Sequence, residues 1–392
     1  MTDKKSILHD LLALSSGTEI PPVFMLWCGI SAISTILGRR CWLDMGPFMV
    51  YPNLFIILVA PSGRCRKTTA ILLVEGILRQ LDTPINFISQ RVTTEALIEA
   101  ITITHTTADN KFLKKTCEGA VYVDELINFL NRKTFESGLA GVMIPLYDCH
   151  DKFEYRTKAR GIEYLNNTCL GLLAGSTVEW IRDAIPIEAV GGGLTSRMIF
   201  VYNDIPSAPV ARPKPMTEKR EIVESIIRAF NRIQHLQGPI TLTPKAWERY
   251  ETIYNSFYSK SLFFEDSSTS GYASRRHVHL LKVALALAAS EETIEVDERH
   301  VCGANEALML VETQLFQVLS LITSSEKGIL LTMVKSHISK SKRISRGDLL
   351  RRVVHRIDSR ELTELLDTLI HSKQVRAEHS GGQIYYEEVC ND

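Results

Sequence analysis

The residues best placed to do chemistry in this 392-residue chain lie in two short stretches, APSGRCRKTT at 60–69 and AVYVDE at 120–125. In the first, the apolar run Leu54–Ala60 has strand length and turns through Pro61-Ser62-Gly63 into a helix predicted from Lys67 to Leu81. A buried strand, a glycine-bearing turn and a helix N-terminus together make a phosphate cradle. Backbone N–H groups and the helix dipole face the anion, a lysine reaches the β and γ oxygens, and a hydroxyl ligates Mg²⁺. The candidate loop is Ser62, Gly63, Arg64, Cys65, Arg66, Lys67, Thr68 and Thr69, and the expected ligand is ATP with Mg²⁺. Thr68, next to the lysine, is preferred to Thr69 as the metal-binding hydroxyl. The usual spacing asks for glycines where Pro61 and Arg66 stand, and only Gly63 remains. If Ala60 takes the first position, the loop is one residue longer than usual. The competing reading is a plain turn followed by a basic helix start.

The second stretch ends a buried strand in two carboxylates, where open parallel sheets bind their ligands. Asp124 is the candidate to hold Mg²⁺ together with Thr68, and Glu125 to orient and polarise an attacking water. An acidic helix N-terminus favoured by the helix dipole is the alternative. Two later segments could complete such a site. Gly175-Ser176-Thr177 follows the apolar strand Leu170–Ala174, so Ser176 could bond the water or a phosphate, or the group could simply cap a helix. GGGLTSRMIFVY places Arg197 just ahead of a strand. Its guanidinium could reach from one subunit to the nucleotide of a neighbour, or form a surface salt bridge.

These residues need an α/β frame to hold them. Continuous apolar runs at Leu54–Ala60, Ala120–Val123 and Leu170–Ala174 read as parallel strands buried on both faces. Further strands are predicted at Cys41–Leu43, Ile85–Ser89 and Arg197–Val201, and a hairpin at Phe153–Tyr164. Helices are predicted at 5–15, 22–38 and from Thr93 or Thr94 to Ile101, then at 217–236, 244–259, 272–291 and 297–322. Prolines at 206–215 suggest a domain boundary. Residues 326–388 read helix, helix, helix and a two-stranded ribbon turning at Ser380-Gly381-Gly382, the order of a winged helix. The expected domains are an N-terminal helical segment (1–45), a nucleotide-binding core (46–210), a helical lid (211–324) and a winged helix (325–392).

Composition narrows the class. Lys plus Arg and Asp plus Glu are 45 each, so any nucleic-acid contact must come from local patches. The eight cysteines contain no CxxC pair, and adjacent Cys149-His150 does not fit zinc spacing. They suit small buried hydrophobes in a reducing compartment. No signal peptide is recognised, and the apolar run Phe24–Leu37 is too short to cross a membrane, so a cytoplasmic protein is expected.

The segments PPVFMLWCGISAIS, YPNLFIILVAPSGRCRKTTA, GAVYVDE, LGLLAGSTVEW, GGGLTSRMIFVYN and RRHVHLLKVALALA, spread over roughly 20–310, resemble a family of P-loop ATPases from phages, plasmids and integrated elements. Its members are described as primase-helicase-like or replicative-helicase-like. The resemblance implies an ASCE core related to AAA+ and RecA-like rings. It implies that Lys67 and Thr68 match Walker A, Asp124 and Glu125 match Walker B, and Arg197 an arginine finger. It also implies a second sensor arginine at Arg275 or Arg276, otherwise a solvated helix start. A homo-oligomeric ring is expected, with the hexamer one candidate size.

DNA is the expected partner, single-stranded or bound without sequence preference. Lys335, Lys340, Lys342, Arg343, Arg346, Arg351, Arg352 and Arg356 are dense enough to meet phosphates. The third helix of the expected winged helix carries Asp358, Glu361, Glu364 and Asp367, which suits base reading poorly. Arg156, Lys158 and Arg160 sit where ring motors carry pore loops, and an exposed hairpin is the alternative. Two functions stand side by side: a DNA motor, such as a replicative helicase, and an ATPase switch that loads a replication partner protein without unwinding.

Overall fold

A computed structural model describes residues 6–88, 92–106, 113–157, 161–186, 189–213, 215–260, 262–323, 326–380 and 382–389. The chain forms two compact units, Met1–Ile322 and Thr323–Asp392.

The first unit is mixed α/β. Its central strands are β1 (Phe55–Val59), β2 (Phe87–Ile88), β3 (Thr102–Thr106), β4 (Leu113–Val123), β5 (Thr168–Ser176) and β6 (Met198–Tyr202). Five of them run parallel in the order β6-β1-β5-β4-β2, and β3 pairs antiparallel with the first half of β4. In register, Phe55 lies beside Met198 and Leu172, Val59 beside Ser176, and Val123 beside Ala174. The C-terminal ends of β1, β4 and β5 therefore emerge at one edge.

Side chains alternate across a strand, so a strand covered on both sides must be apolar at every position. Along β1, Phe55, Ile57 and Val59 enter one apolar cluster and Ile56 and Leu58 the other. The Ile56/Leu58 face carries helices Pro22–Leu37, Lys67–Leu78 and Arg220–Gln234; the Phe55/Ile57/Val59 face carries Thr94–Ile101, Leu139–Tyr147 and Val178–Ala184. The apolar run near residue 24 is explained here. Helix Pro22–Leu37 buries twelve of its sixteen residues against the sheet and its neighbours. Among the described residues no helix is long and apolar enough to cross a membrane.

Two expectations need correction. Prolines at 206–215 do not separate a lid. Ile226, Phe230 and Ile233 beyond them share one cluster with Leu11, Phe24 and Ile33 before the sheet, so apolar contact overrides the break in composition. The same cluster absorbs the expected N-terminal segment, 1–45. Second, β3 and residues 113–119 of β4 extend the sheet where no strand was expected. Their sequences, TITHT and LKKTCEG, are too polar to read as buried strand.

The second unit has helices Glu326–Ser341, Arg346–Val353 and Ser359–His371. Strand Gln383–Glu388 lies between Arg343–Ser345 and Val375–Ser380, all antiparallel. Arg343–Ser345 adds one strand to the expected ribbon. Leu349, Val353, Leu362, Leu366, Leu369 and Tyr386 fill its core. Ser345 caps the second helix, and Asp358 caps the third by accepting from the N–H groups of Arg360 and Glu361, both at 2.8 Å.

Candidate active site

The loop from β1 to helix Lys67–Leu78 leaves the sheet at Ala60, whose N–H donates to the Ser176 carbonyl at 3.3 Å. Gly63 (φ 70), Cys65 (φ 61) and Arg66 (φ 48) are left-handed. Glycine takes that conformation freely, whereas Cys65 and Arg66 each cost about 1–2 kcal/mol. Ser62, Gly63, Arg64 and Arg66 are exposed, Cys65 is buried, Thr68 is half-buried and Thr69 exposed. Arg66 precedes the helix and no side chain caps it. The first-turn N–H groups of the helix lack an intrahelical acceptor by construction, so this terminus favours an anion.

Lys67 is 6% exposed, and its Nζ donates to the carbonyls of Ala60 at 2.9 Å and Pro61 at 3.3 Å. Burial lowers its pKa, and the nearby Glu125 carboxylate pulls it back up. Glu125 responds in the opposite sense. Burial raises its pKa, Asp124 adds to the rise and Lys67 opposes it. Among the described residues Glu125 Oε2 is buried without a hydrogen-bond partner, and such an orphan is expensive in a folded protein. Asp124 beside it is exposed. The structure thus brings Lys67, Asp124 and Glu125 together at the C-terminal edge of the sheet, with Thr68 on the same helix start.

Gly175 is part of this construction. A Cβ there would collide with the Asp124 carbonyl oxygen and lie 3.5 Å from Ile71 Cδ1 in the Lys67 helix. Ser176 is fully buried, and its hydroxyl donates to the Thr177 carbonyl at 3.2 Å. Thr177 caps helix Val178–Ala184. Of the two readings of Gly175-Ser176-Thr177, the cap is what this structure displays.

The expected arginines lie elsewhere. Arg197 immediately precedes Met198, which pairs with the first residue of β1, so it sits at the opposite edge of the sheet from Lys67. Five residues at about 3.3 Å each separate the two edges by roughly 15 Å. Nor does Arg197 project outward. It is 5% exposed, and its Nε donates to Asp148 Oδ1 at 3.1 Å while its Nη atoms bond Asp148 Oδ2 and the Gly193 carbonyl. Arg276 is enclosed between helices. It pairs with Glu312 at 2.7 Å, donates to Asn305 Oδ1 at 2.9 Å and lies 4.4 Å from the Phe257 ring centroid. A nucleotide contact is not what this arrangement displays: Nε and Nη2 are engaged by Glu312 and Asn305, and the residue is 3% exposed.

A second group of charges that the sequence did not disclose surrounds Arg197. Asp148 also accepts from Arg275 at 3.4 Å, and burial with the Arg197 charge lowers the pKa of Arg275. Lys282 Nζ, fully buried, donates to the carbonyl and side-chain oxygens of Asn53, both at 2.8 Å, and lies 3.9 Å from the Tyr147 ring centroid. Its pKa falls to about 8 by burial. An open cavity of about 900 Å³ adjoins this group, lined among others by Tyr51, Asp148, Arg275 and His277. The one available signal was a lysine inside the apolar run LLKVALALAA.

In the second unit, Lys340, Lys342, Arg351, Arg352 and Arg356 are exposed. Arg343 pairs with Glu378 and Glu387, and Arg346 donates to Ser359 and Thr363. Glu361, Glu364 and Asp367 are exposed on the third helix. Arg156 is exposed on hairpin Lys152–Thr157/Gly161–Asn166, while Lys158 and Arg160 lie outside the described residues. No group of three or more His, Cys, Asp or Glu among the described residues could hold a metal ion by itself. Thr68 and Asp124 place a hydroxyl and a carboxylate, both oxygen donors, at the C-terminal edge of the sheet. No family model matches the chain, and no curated protein matches it either.

Proposed function

We propose that this chain is a P-loop ATPase of the ASCE type, working as a homo-oligomeric ring that acts on DNA. One observation carries the reading: a buried lysine on an uncapped helix N-terminus neighbours a carboxylate whose buried oxygen has no partner. Both stand at the edge where parallel sheets bind ligands. Lys67 and the open helix terminus bind phosphate oxygens. Thr68 and Asp124 supply oxygens to Mg²⁺, which when bound neutralises charge on the β and γ phosphates. Glu125 holds the attacking water, and burial raises its proton affinity.

Arg197 is too far from Lys67 of its own chain to touch the same phosphate, so a finger role requires a second copy and release from Asp148. The C-terminal unit, read as a winged helix, meets the DNA backbone through its exposed lysines and arginines. A second reading, an ATPase switch that loads a partner, draws on exposed Glu361, Glu364 and Asp367, which repel DNA and suit a basic protein.

ATP turnover measured with and without single-stranded DNA tests this. Stimulation by DNA is expected of the motor. Turnover indifferent to DNA favours the switch, and absence of turnover under all conditions overturns the ATPase reading.

A further inference from the structure

The loop preceding Lys67 bends through a residue that is not glycine, and its side chain is anchored at a distant point. Arg66 Nε donates to Glu19 Oε2 at 2.6 Å, across 47 residues of sequence. The other carboxylate oxygen, Oε1, accepts from the Val210 N–H at 3.3 Å. Glu19 stands on a fixed turn. The Thr18 N–H and hydroxyl both donate to the Ser15 carbonyl, at 3.1 and 2.6 Å, and the same hydroxyl accepts from the Ile20 N–H at 3.2 Å. Ile20 is buried. The Glu19 carboxyl is held below its ordinary pKa, first by the Arg66 hydrogen bond and then by Val210, so it stays ionised at neutral pH.

We infer that Glu19 is the positioning residue of the loop, a clamp that holds Arg66 in the left-handed conformation the helix start requires. The inference rests on reading 60–69 as a phosphate loop and adds the group that keeps it in shape. Where the usual spacing puts a glycine, this chain has an arginine whose guanidinium is tethered from outside the loop. The same carboxylate ties the loop to the segment after β6, so Ser15–Ile20, Arg66 and Val210 are held at one point. Glycine adopts this conformation without help, so a glycine at 66 should make the clamp dispensable.

The test is a double-mutant cycle on the full chain: wild type, Glu19→Ala, Arg66→Gly and the double variant. Two readouts are taken, hydrogen exchange of the 62–69 amides without nucleotide, and ATP binding with turnover. In the wild-type background, Glu19→Ala is expected to speed loop exchange and weaken ATP binding about threefold, the scale of a half-exposed ion pair. Turnover at saturating ATP stays unchanged, because Glu19 touches neither the phosphates nor the water. In the Arg66→Gly background, removing Glu19 should change neither readout. Equal effects in both backgrounds, or unaltered exchange in Glu19→Ala, overturn the clamp. Coupled exchange with no ATP binding in any of the four proteins upholds the clamp and rejects the phosphate-loop reading. ATP binding with additive exchange does the reverse.

Discussion

The two edges of the central sheet handle charge in opposite ways. At the N-terminal edge, Asp148 satisfies Arg197 and Arg275, and Asn53 satisfies Lys282. At the C-terminal edge, among the described residues, Lys67 bonds only loop carbonyls, and Glu125 keeps a buried oxygen without a partner. Folding stability alone would pair such groups with each other or replace them. The edge left incomplete is therefore where an outside molecule is expected, and the complete edge is where the fold is held.

The largest effect should come at the incomplete edge. Lys67→Ala is expected to abolish ATP binding. Glu125→Gln should keep binding and cut turnover about 10³-fold, the scale of a positioned base. Because burial raises the Glu125 pKa, the folded state binds its proton more tightly than the unfolded chain. Its charge therefore lowers stability above the folded pKa, and that cost disappears as pH falls below it. Glu125→Gln should accordingly melt at a higher temperature than wild type at pH 7. Unchanged turnover in Glu125→Gln would remove the contrast between the edges.

The complete edge should respond in stability first. Arg197→Ala breaks a nearly buried pair and leaves Asp148 with one weaker partner, a loss of about 3 kcal/mol by chemical denaturation. If the edge only holds the fold, Asp148→Ala should cost a similar amount. A trans role adds a second signature: mixing Arg197→Ala with Lys67→Ala protein partly restores hydrolysis. Wild-type stability in Arg197→Ala would turn this edge into a second incomplete one.

The smallest effect concerns the separate C-terminal unit, where exposed charge belongs to neither class. Neutralising Arg351, Arg352 and Arg356 should flatten the salt dependence of DNA affinity by up to about 0.9 per lost phosphate contact on duplex, or about 0.7 on single strands. Identical slopes would mean that this face meets solvent or protein. A strong preference for one duplex sequence would require base contacts and would also break the expectation.

Local signals carried much of this arrangement. The apolar run at 54–60 and the DE pair at 124–125 lie where a parallel sheet edge was expected, because both are written in contiguous residues. What stayed hidden depends on distant partners. Nothing near Arg197 announces Asp148, and nothing near Arg276 announces Glu312, so outward and inward arginines look alike in sequence. Glu19 is equally silent, since its partners are 47 and 191 residues away. The polar strand β3 was missed because pairing with β4, rather than its own pattern, makes it a strand. The 206–215 prolines mark a real break in regular structure, yet the apolar faces beyond it return to the same core.

Gly175 has a mechanical consequence. A Cβ there would collide with the Asp124 carbonyl and touch Ile71, which belong to the two chain segments that supply the carboxylates and the lysine. Side chains used as spacers change length as they hop between rotamers, whereas a Cα has no torsion of its own to vary. The approach of Gly175 to the Asp124 backbone thus depends on the missing Cβ, while its contact toward the Lys67 helix is with the Ile71 side chain. Since a misplacement of about 1 Å can cost 10²-fold in rate, this one hydrogen-for-methyl position would bear on the proposed hydrolysis without touching any reactant.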